Sequence, residues 1–170
     1  MDPLLKRMLL VCVCLFASTG LAKADSLSDA LRAFDEGNHA KAAKSFKPLA
    51  EKGNAVAQFK LATMYYNGKG VSQNHKTAAK LYRLSAEQGH VVAQSNLATM
   101  YYRGEGVPKD FVLAHMWKNI AATNAEGDRQ LRYLEQLKAL AKDMTTKQLA
   151  EAQELAKRCT ASKFKGCKRK

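Results

Sequence analysis

The stretch LATMYYNGKGV, residues 61–71, returns as LATMYYRGEGV at residues 97–107, with only Asn67 replaced by Arg103 and Lys69 by Glu105. A near-identical segment at a spacing of 36 residues constrains the fold more than any composition. One supersecondary unit is being stacked on a copy of itself. Sliding the chain by 36 extends the match: Ala57 and Gln58 fall on Ala93 and Gln94, Gly53 on Gly89, and Ala42-Ala43-Lys44 on Ala78-Ala79-Lys80. A weaker third copy pairs Ala78 with Ala114, Leu81 with Trp117 and Ala86 with Ala122, after which the register fades.

Within one copy, Ala57, Gln58, Leu61, Ala62, Met64 and Tyr65 share a broad arc at 3.6 residues per turn, which predicts an amphipathic helix over 54–67. Gly68 and Gly70 end it, because glycine accepts the left-handed backbone that terminates helices. A second helix is expected from about His75, with Ala78, Ala79, Leu81, Tyr82 and Ala86 inward, ending at Gly89. One such pair cannot bury its own apolar face, whereas stacked pairs build a continuous core.

The flanks fit the same plan. Leu27, Ala30, Leu31 and Phe34 predict a helix ended by Gly37, and Ala42, Ala43, Phe46 and Leu49 its partner, in which Pro48 is expected to remove a hydrogen bond and kink the helix. Two further helices follow, over 128–142 and from Thr145, where Thr145 and Gln148 have capping-box spacing. They are expected to close the array with one apolar and one polar face. No strand pattern is present, so the class is all-α.

The opening residues read as an address. Lys6 and Arg7 precede an apolar run from Met8 to Ala17, and Ala22-Lys23-Ala24 suits cleavage before Asp25. The expectation is a signal peptide over 1–24, a solenoid with capping helices over 25–158 and a basic tail over 159–170. The apolar run is short of the roughly 20 residues that span a bilayer, so no transmembrane segment is expected after cleavage. Cleavage would take Lys6, Arg7, Lys23 and Asp2 from the 28 basic and 15 acidic residues, leaving 25 and 14. It would also take Cys12 and Cys14. Cys159 and Cys167 would remain, and an even pair in an exported chain is expected to form one disulfide rather than half of a zinc site. Periplasmic or secreted localisation follows.

From Ala55, and again from Val91, the chain carries Ala/Val-x-Ala-Gln-x-x-Leu-Ala-x-Met-Tyr-Tyr-x-Gly-x-Gly-Val. This resembles the Sel-1-like repeat, a relative of the tetratricopeptide repeat, strongly over residues 34–125. The ending MTTKQLAEAQELAKRC is similar to the closing helix of exported bacterial members. The resemblance implies a right-handed α/α superhelix serving as an adaptor or scaffold for other proteins, often in envelope assembly or signalling. The matched Leu, Ala, Tyr and Gly positions are structural, so they identify no active site.

His39, His75, His90 and His115 include no pair at helical ligand spacing, and His39 and His75 occupy equivalent places in successive repeats, too far apart to share a metal. They are expected to be exposed starts of equivalent helices. Gly68-Lys69-Gly70 is too short for a phosphate loop. A cysteine-rich branch of the family, found in Helicobacter, is linked to binding or hydrolysing penicillin-type compounds, but its cysteine pairs within the repeats have no counterpart between Asp25 and Arg158. Ser162 and Lys165 have the spacing of the serine motif of penicillin-recognising enzymes without its partner motifs. A wall- or β-lactam-directed envelope protein is therefore the alternative reading. Neither catalytic residues, nor a metal, nor a cofactor are assigned, and the chain is expected not to be an enzyme.

Binding is expected on the arc opposite the core, which arrays of this kind turn to their concave side. It carries Phe59, Thr63, Tyr66 and Asn67, matched by Ser95, Thr99, Tyr102 and Arg103. Tyr66 and Tyr102 suit a protein interface, and equally suit packing on the neighbouring helix. Seven basic and no acidic residues lie between Lys157 and Lys170. Such a tail would attract an anionic envelope polymer or lipid, or simply be solvated. Export would keep it from nucleic acid. The partner protein is not identified by sequence.

Overall fold

A computed structural model of the chain describes residues 27–167 and residue 169. The expected signal peptide and its cysteines, Cys12 and Cys14, lie outside the described residues. Those described form eight helices: α1 over 27–35, α2 His39–Glu51, α3 Ala55–Asn67, α4 His75–Ala86, α5 Val91–Arg103, α6 Phe111–Asn124, α7 Gly127–Ala141 and α8 Thr146–Ala161. No strand occurs among them.

The helix starts repeat with the sequence. Asn38, Asn74 and Asp110 cap α2, α4 and α6, each side chain accepting the backbone N–H three residues on. Asn54 and His90 do the same for α3 and α5. Thr145 and Gln148 form the expected reciprocal capping box on α8. Pro48 does not end α2, which continues through it to Glu51. Both Pro48 and Lys44 face solvent, so water can satisfy the carbonyl that loses its donor.

Each first helix packs between second helices: α3 lies against α2 and α4, and α5 against α4 and α6. One layer of core gathers Phe46, Leu61 and Met64, the next Tyr82, Leu97, Met100, Met116 and Trp117. Small residues such as Ala57, Ala78, Ala93 and Ala114 are fully buried at the crossings, which lets the helices approach closely.

The second glycine of each loop sets the stacking. Gly70 and Gly106 have φ of 71° and 69°, and a Cβ on either would fall on the backbone of His39 or His75, the first residue of the second helix one repeat earlier. Gly68 and Gly104 stop their helices, as expected, in left-handed C-caps. The following glycines instead seat one repeat on the last.

The register continues past the point where the sequence match fades. Gln58, Gln94 and Gln130, 36 apart, each donate to the carbonyl eight residues upstream, on Ala50, Ala86 and Ala122. Thus α7 is the first helix of a further repeat. The expected polar outer face is incomplete, however, since Leu131 is 61% and Leu134 40% exposed on α7. α8 packs on α6 with Ala152, Leu155 and Ala156 buried.

Cys159 and Cys167 are joined as a disulfide, with Cα atoms 5.1 Å apart. The bridge folds the tail back, burying Cys167 and laying Phe164 against the core beside Gly89. Arg169 donates to both carboxylate oxygens of Glu151, at 2.8 and 3.0 Å, and to Asp110 at 3.3 Å. The tail is therefore held to the array, while Lys157, Arg158, Lys163 and Lys165 remain exposed. No helix among the described residues is long and apolar enough to cross a membrane.

Candidate functional site

The arc of α3 and α5 that turns away from the core carries two successive hollows. The first, about 210 Å³, is lined by Thr63, Tyr66, Asn67, Tyr82, Asn96, Thr99 and Met100. The second, about 290 Å³, is lined by Ala98, Thr99, Tyr102, Arg103, Lys118, Gln136, Ala139 and Leu140. Thr63, Tyr66 and Asn67 in the first stand one period before Thr99, Tyr102 and Arg103 in the second, so periodic helices give a periodic surface. Thr99 is shared by both hollows.

Both tyrosines reach forward along the array. Tyr66 donates its hydroxyl to Glu105 at 2.6 Å, and its ring stacks on His75 at 5.0 Å. The bond to Glu105 is the main cause that raises its pKa. Tyr102 donates to Asp143 at 2.8 Å, which likewise raises its pKa, and lies 5.6 Å from the Phe111 ring. Arg103 donates to the Tyr66 oxygen at 3.4 Å and stands 3.8 Å from Glu105. Packing and surface display are combined in these residues: each ring leans on the next element and still forms a wall of a hollow.

Two of the eight expected surface residues are placed otherwise. Ser95 is buried, at 5% exposure, because Lys118 of α6 lies over it. Phe59 is half-buried and lines neither hollow; its ring stacks on His90 at 4.4 Å and meets Tyr82 at 6.0 Å. The first hollow is floored by Tyr82, whose hydroxyl donates to Thr63 at 3.0 Å while Thr63 donates to the Phe59 carbonyl. Burial raises the Tyr82 pKa.

Lys118, on the wall of the second hollow, is a site residue that the sequence reading does not name. It is only 4% exposed. Its ammonium donates to the Ser95 hydroxyl at 2.7 Å, the Ser95 carbonyl at 3.3 Å and Gln136 Oε1 at 2.8 Å, and lies 5.2 Å from the Tyr133 ring centre. Burial lowers its pKa from 10.5 to about 8.

The histidines depart from the exposed helix starts expected for two of them. His39 and His75 are half-buried, His39 lying 5.3 Å from the Phe34 ring. His90 accepts the Ala93 N–H through Nδ1 at 3.2 Å, which requires that nitrogen unprotonated, and burial is the main cause that lowers its pKa. His115 is buried in α6, and burial lowers its pKa too. Among the described residues, no three His, Cys, Asp or Glu side chains gather as metal ligands would. Ser162 spends its hydroxyl proton on the carbonyls of Cys159 and Lys165, at 2.9 and 2.8 Å, so Lys165 meets it through its backbone rather than as a base.

The family model described as the Sel1 repeat matches residues 55–90 and 91–125. Among solved structures, the chain is similar to a protective antigen present in uropathogenic Escherichia coli strains that displays an SLR fold, at 33% identity over 85% of this chain with a TM-score of 0.76. It is also similar to a Sel1 repeat protein from Oxalobacter formigenes, at 35% identity over 52% of this chain with a TM-score of 0.50. The chain spans 31% and 25% of the lengths of those two proteins. No curated protein matches it.

Proposed function

We propose, from the premise that this chain is a Sel1 repeat protein, that it is a non-enzymatic adaptor gripping a protein partner along the arc of α3 and α5. Proteins of this repeat class generally serve in protein–protein interaction. The observation that carries the reading is the pair of hollows one period apart, walled by Tyr66 and Tyr102 and sharing Thr99. An extended segment laid across both would meet an aromatic wall and polar groups at each step, and tyrosine offers contact area at low entropic cost. Residues 1–24 act as a cleaved signal peptide in this reading, and residues 25–158 as the working solenoid. The disulfide suits the oxidising compartment beyond the inner membrane, where the partner belongs to envelope assembly or signalling. The exposed cations of the tail add attraction for anionic envelope polymer or lipid.

The test is photo-crosslinking of the purified chain in envelope extract, with wild type compared with the Thr63→Arg plus Thr99→Arg double variant. Both threonines are part-exposed in the hollows, so arginine fills the surface there, and a circular-dichroism melt checks that the variant stays folded without the Thr63–Tyr82 hydrogen bond. Capture lost in the double variant, and kept in the control Lys44→Glu on α2, supports the reading. Capture indifferent to the double variant overturns it.

A further inference from the structure

Phe46, Tyr82 and Lys118 occupy one position of the repeat, 36 residues apart on α2, α4 and α6. All are buried, at 0%, 2% and 4% exposure. The fold therefore asks for bulk at this place, and an aromatic ring meets that demand twice. Lys118 breaks the pattern with a charge. A buried ammonium is costly unless an opposite charge answers it. Among the described residues, no carboxylate stands within ion-pair distance of Lys118; its three acceptors are all neutral. Hydrogen bonds and the Tyr133 ring meet the ammonium but no counter-charge does, and a local rule broken in this way marks a functional position more often than a structural one.

The hollow that Lys118 borders supplies the missing element. We propose that Lys118 is the floor of a carboxylate-binding site, and that the bound segment places an aspartate or glutamate side chain in the second hollow. This rests on the reading of the α3 and α5 arc as the binding surface, and adds the chemistry of what enters it. At about 290 Å³ the space accommodates a side chain of that size. Gln136 is exposed, so its amide can turn, releasing the ammonium from its oxygen and offering its own N–H to the incoming carboxylate. Arg103 on the same wall, at the outer limit of ion pairing with Glu105, is a second, more exposed cation. The acids at the rim are already engaged: Asp143 accepts from Tyr102, and Glu105 from Tyr66. The first hollow, floored by Tyr82, presents no ammonium at the equivalent place and suits a neutral side chain. The two hollows thus demand different residues at a fixed spacing, which is how a periodic surface acquires specificity.

The test uses backbone-amide NMR of the whole chain titrated with acetyl-Gly-Glu-Gly-amide and, separately, acetyl-Gly-Gln-Gly-amide. The glutamate peptide is expected to move resonances in 98–103 and 136–140, with the glutamine peptide at least about tenfold weaker. Lys118→Met should erase that preference while its spectrum stays dispersed, and Lys44→Glu, an exposed change on α2 outside the hollow, should retain it. The site is overturned if neither peptide perturbs these residues, if both do so equally, if the preference survives Lys118→Met, or if the shifts map to the cations of 157–165. Partner capture blocked by the threonine-to-arginine pair but indifferent to Lys118→Met would sink the carboxylate site and leave the adaptor standing.

Discussion

Lys118→Met should make the protein more stable at neutral pH, by an amount that disappears in alkali. Burial holds the Lys118 pKa at about 8 against 10.5 when unfolded. At about 1.4 kcal/mol per pH unit, that displacement corresponds to roughly 3 kcal/mol. Below pH 8 the lysine is charged in both states, and the native state bears the full penalty. Between 8 and 10.5 the native lysine gives up its proton before the unfolded one, so the penalty falls away. Above 10.5 both are neutral and none remains. Methionine fills similar volume without charge. Urea unfolding followed by the fluorescence of Trp117, the single and buried tryptophan, measures the difference between variant and wild type. Titration of all other groups cancels in that difference. The advantage of the variant should shrink by roughly 3 kcal/mol between pH 7 and 10.5. A difference that does not change with pH would refute a buried, uncompensated cation.

Three further outcomes follow from other parts of the array. His90 caps α5 only when its Nδ1 is bare, and its folded pKa lies below the ordinary 6.5. Stability should therefore start to fall as the pH drops below 6.5, as the unfolded state takes up the proton first, and the cap should be lost through the folded pKa. His90→Asn, which copies Asn54 in the preceding repeat, should flatten that acid sensitivity, seen as a smaller drop in urea midpoint from pH 7.5 to pH 5. Cys159→Ser with Cys167→Ser opens a short loop and should cost ~2 to 3 kcal/mol. It should also release Phe164 from Gly89, visible as loss of that ring's contacts in NMR. Tyr102→Phe keeps the ring and removes the bond to Asp143; because Tyr102 is exposed, the urea midpoint should stay close to that of the wild type.

The helices and their stacking were legible because period, glycine and apolar spacing are backbone and burial properties that leave direct marks in sequence. Gln58, Gln94 and Gln130 show where that legibility thinned: Gln130 keeps the structural role although its neighbours have drifted. The chain there retains the glutamine hydrogen bond that ties a first helix to the preceding helix end. Gly70 is expected only to help end a helix, since sequence cannot show that a distant backbone occupies the place of a side chain at Gly70 and Gly106. Ser95 is expected on the open arc and is buried, while Lys118 goes unremarked in the sequence. Small polar and charged residues are assigned to solvent by default, and only the pairing across α5 and α6 buries both. A signal did exist: lysine stands where the two previous copies carry Phe46 and Tyr82.

The account as a whole depends on successive repeats sitting directly on one another through those glycine loops. The most direct measurement is the unfolding free energy of Gly106→Ala beside that of Gly53→Ala. Both glycines have positive φ, of 69° and 87°, so each alanine bears the left-handed penalty of about 1 to 2 kcal/mol. Only at Gly106 would the new methyl group strike the His75 carbonyl, whereas at Gly53 it meets nothing within 4 Å. Stacked repeats predict that Gly106→Ala costs at least ~2 kcal/mol more than Gly53→Ala. Equal costs would mean that the loop does not rest on the preceding helix, and would contradict the stacking.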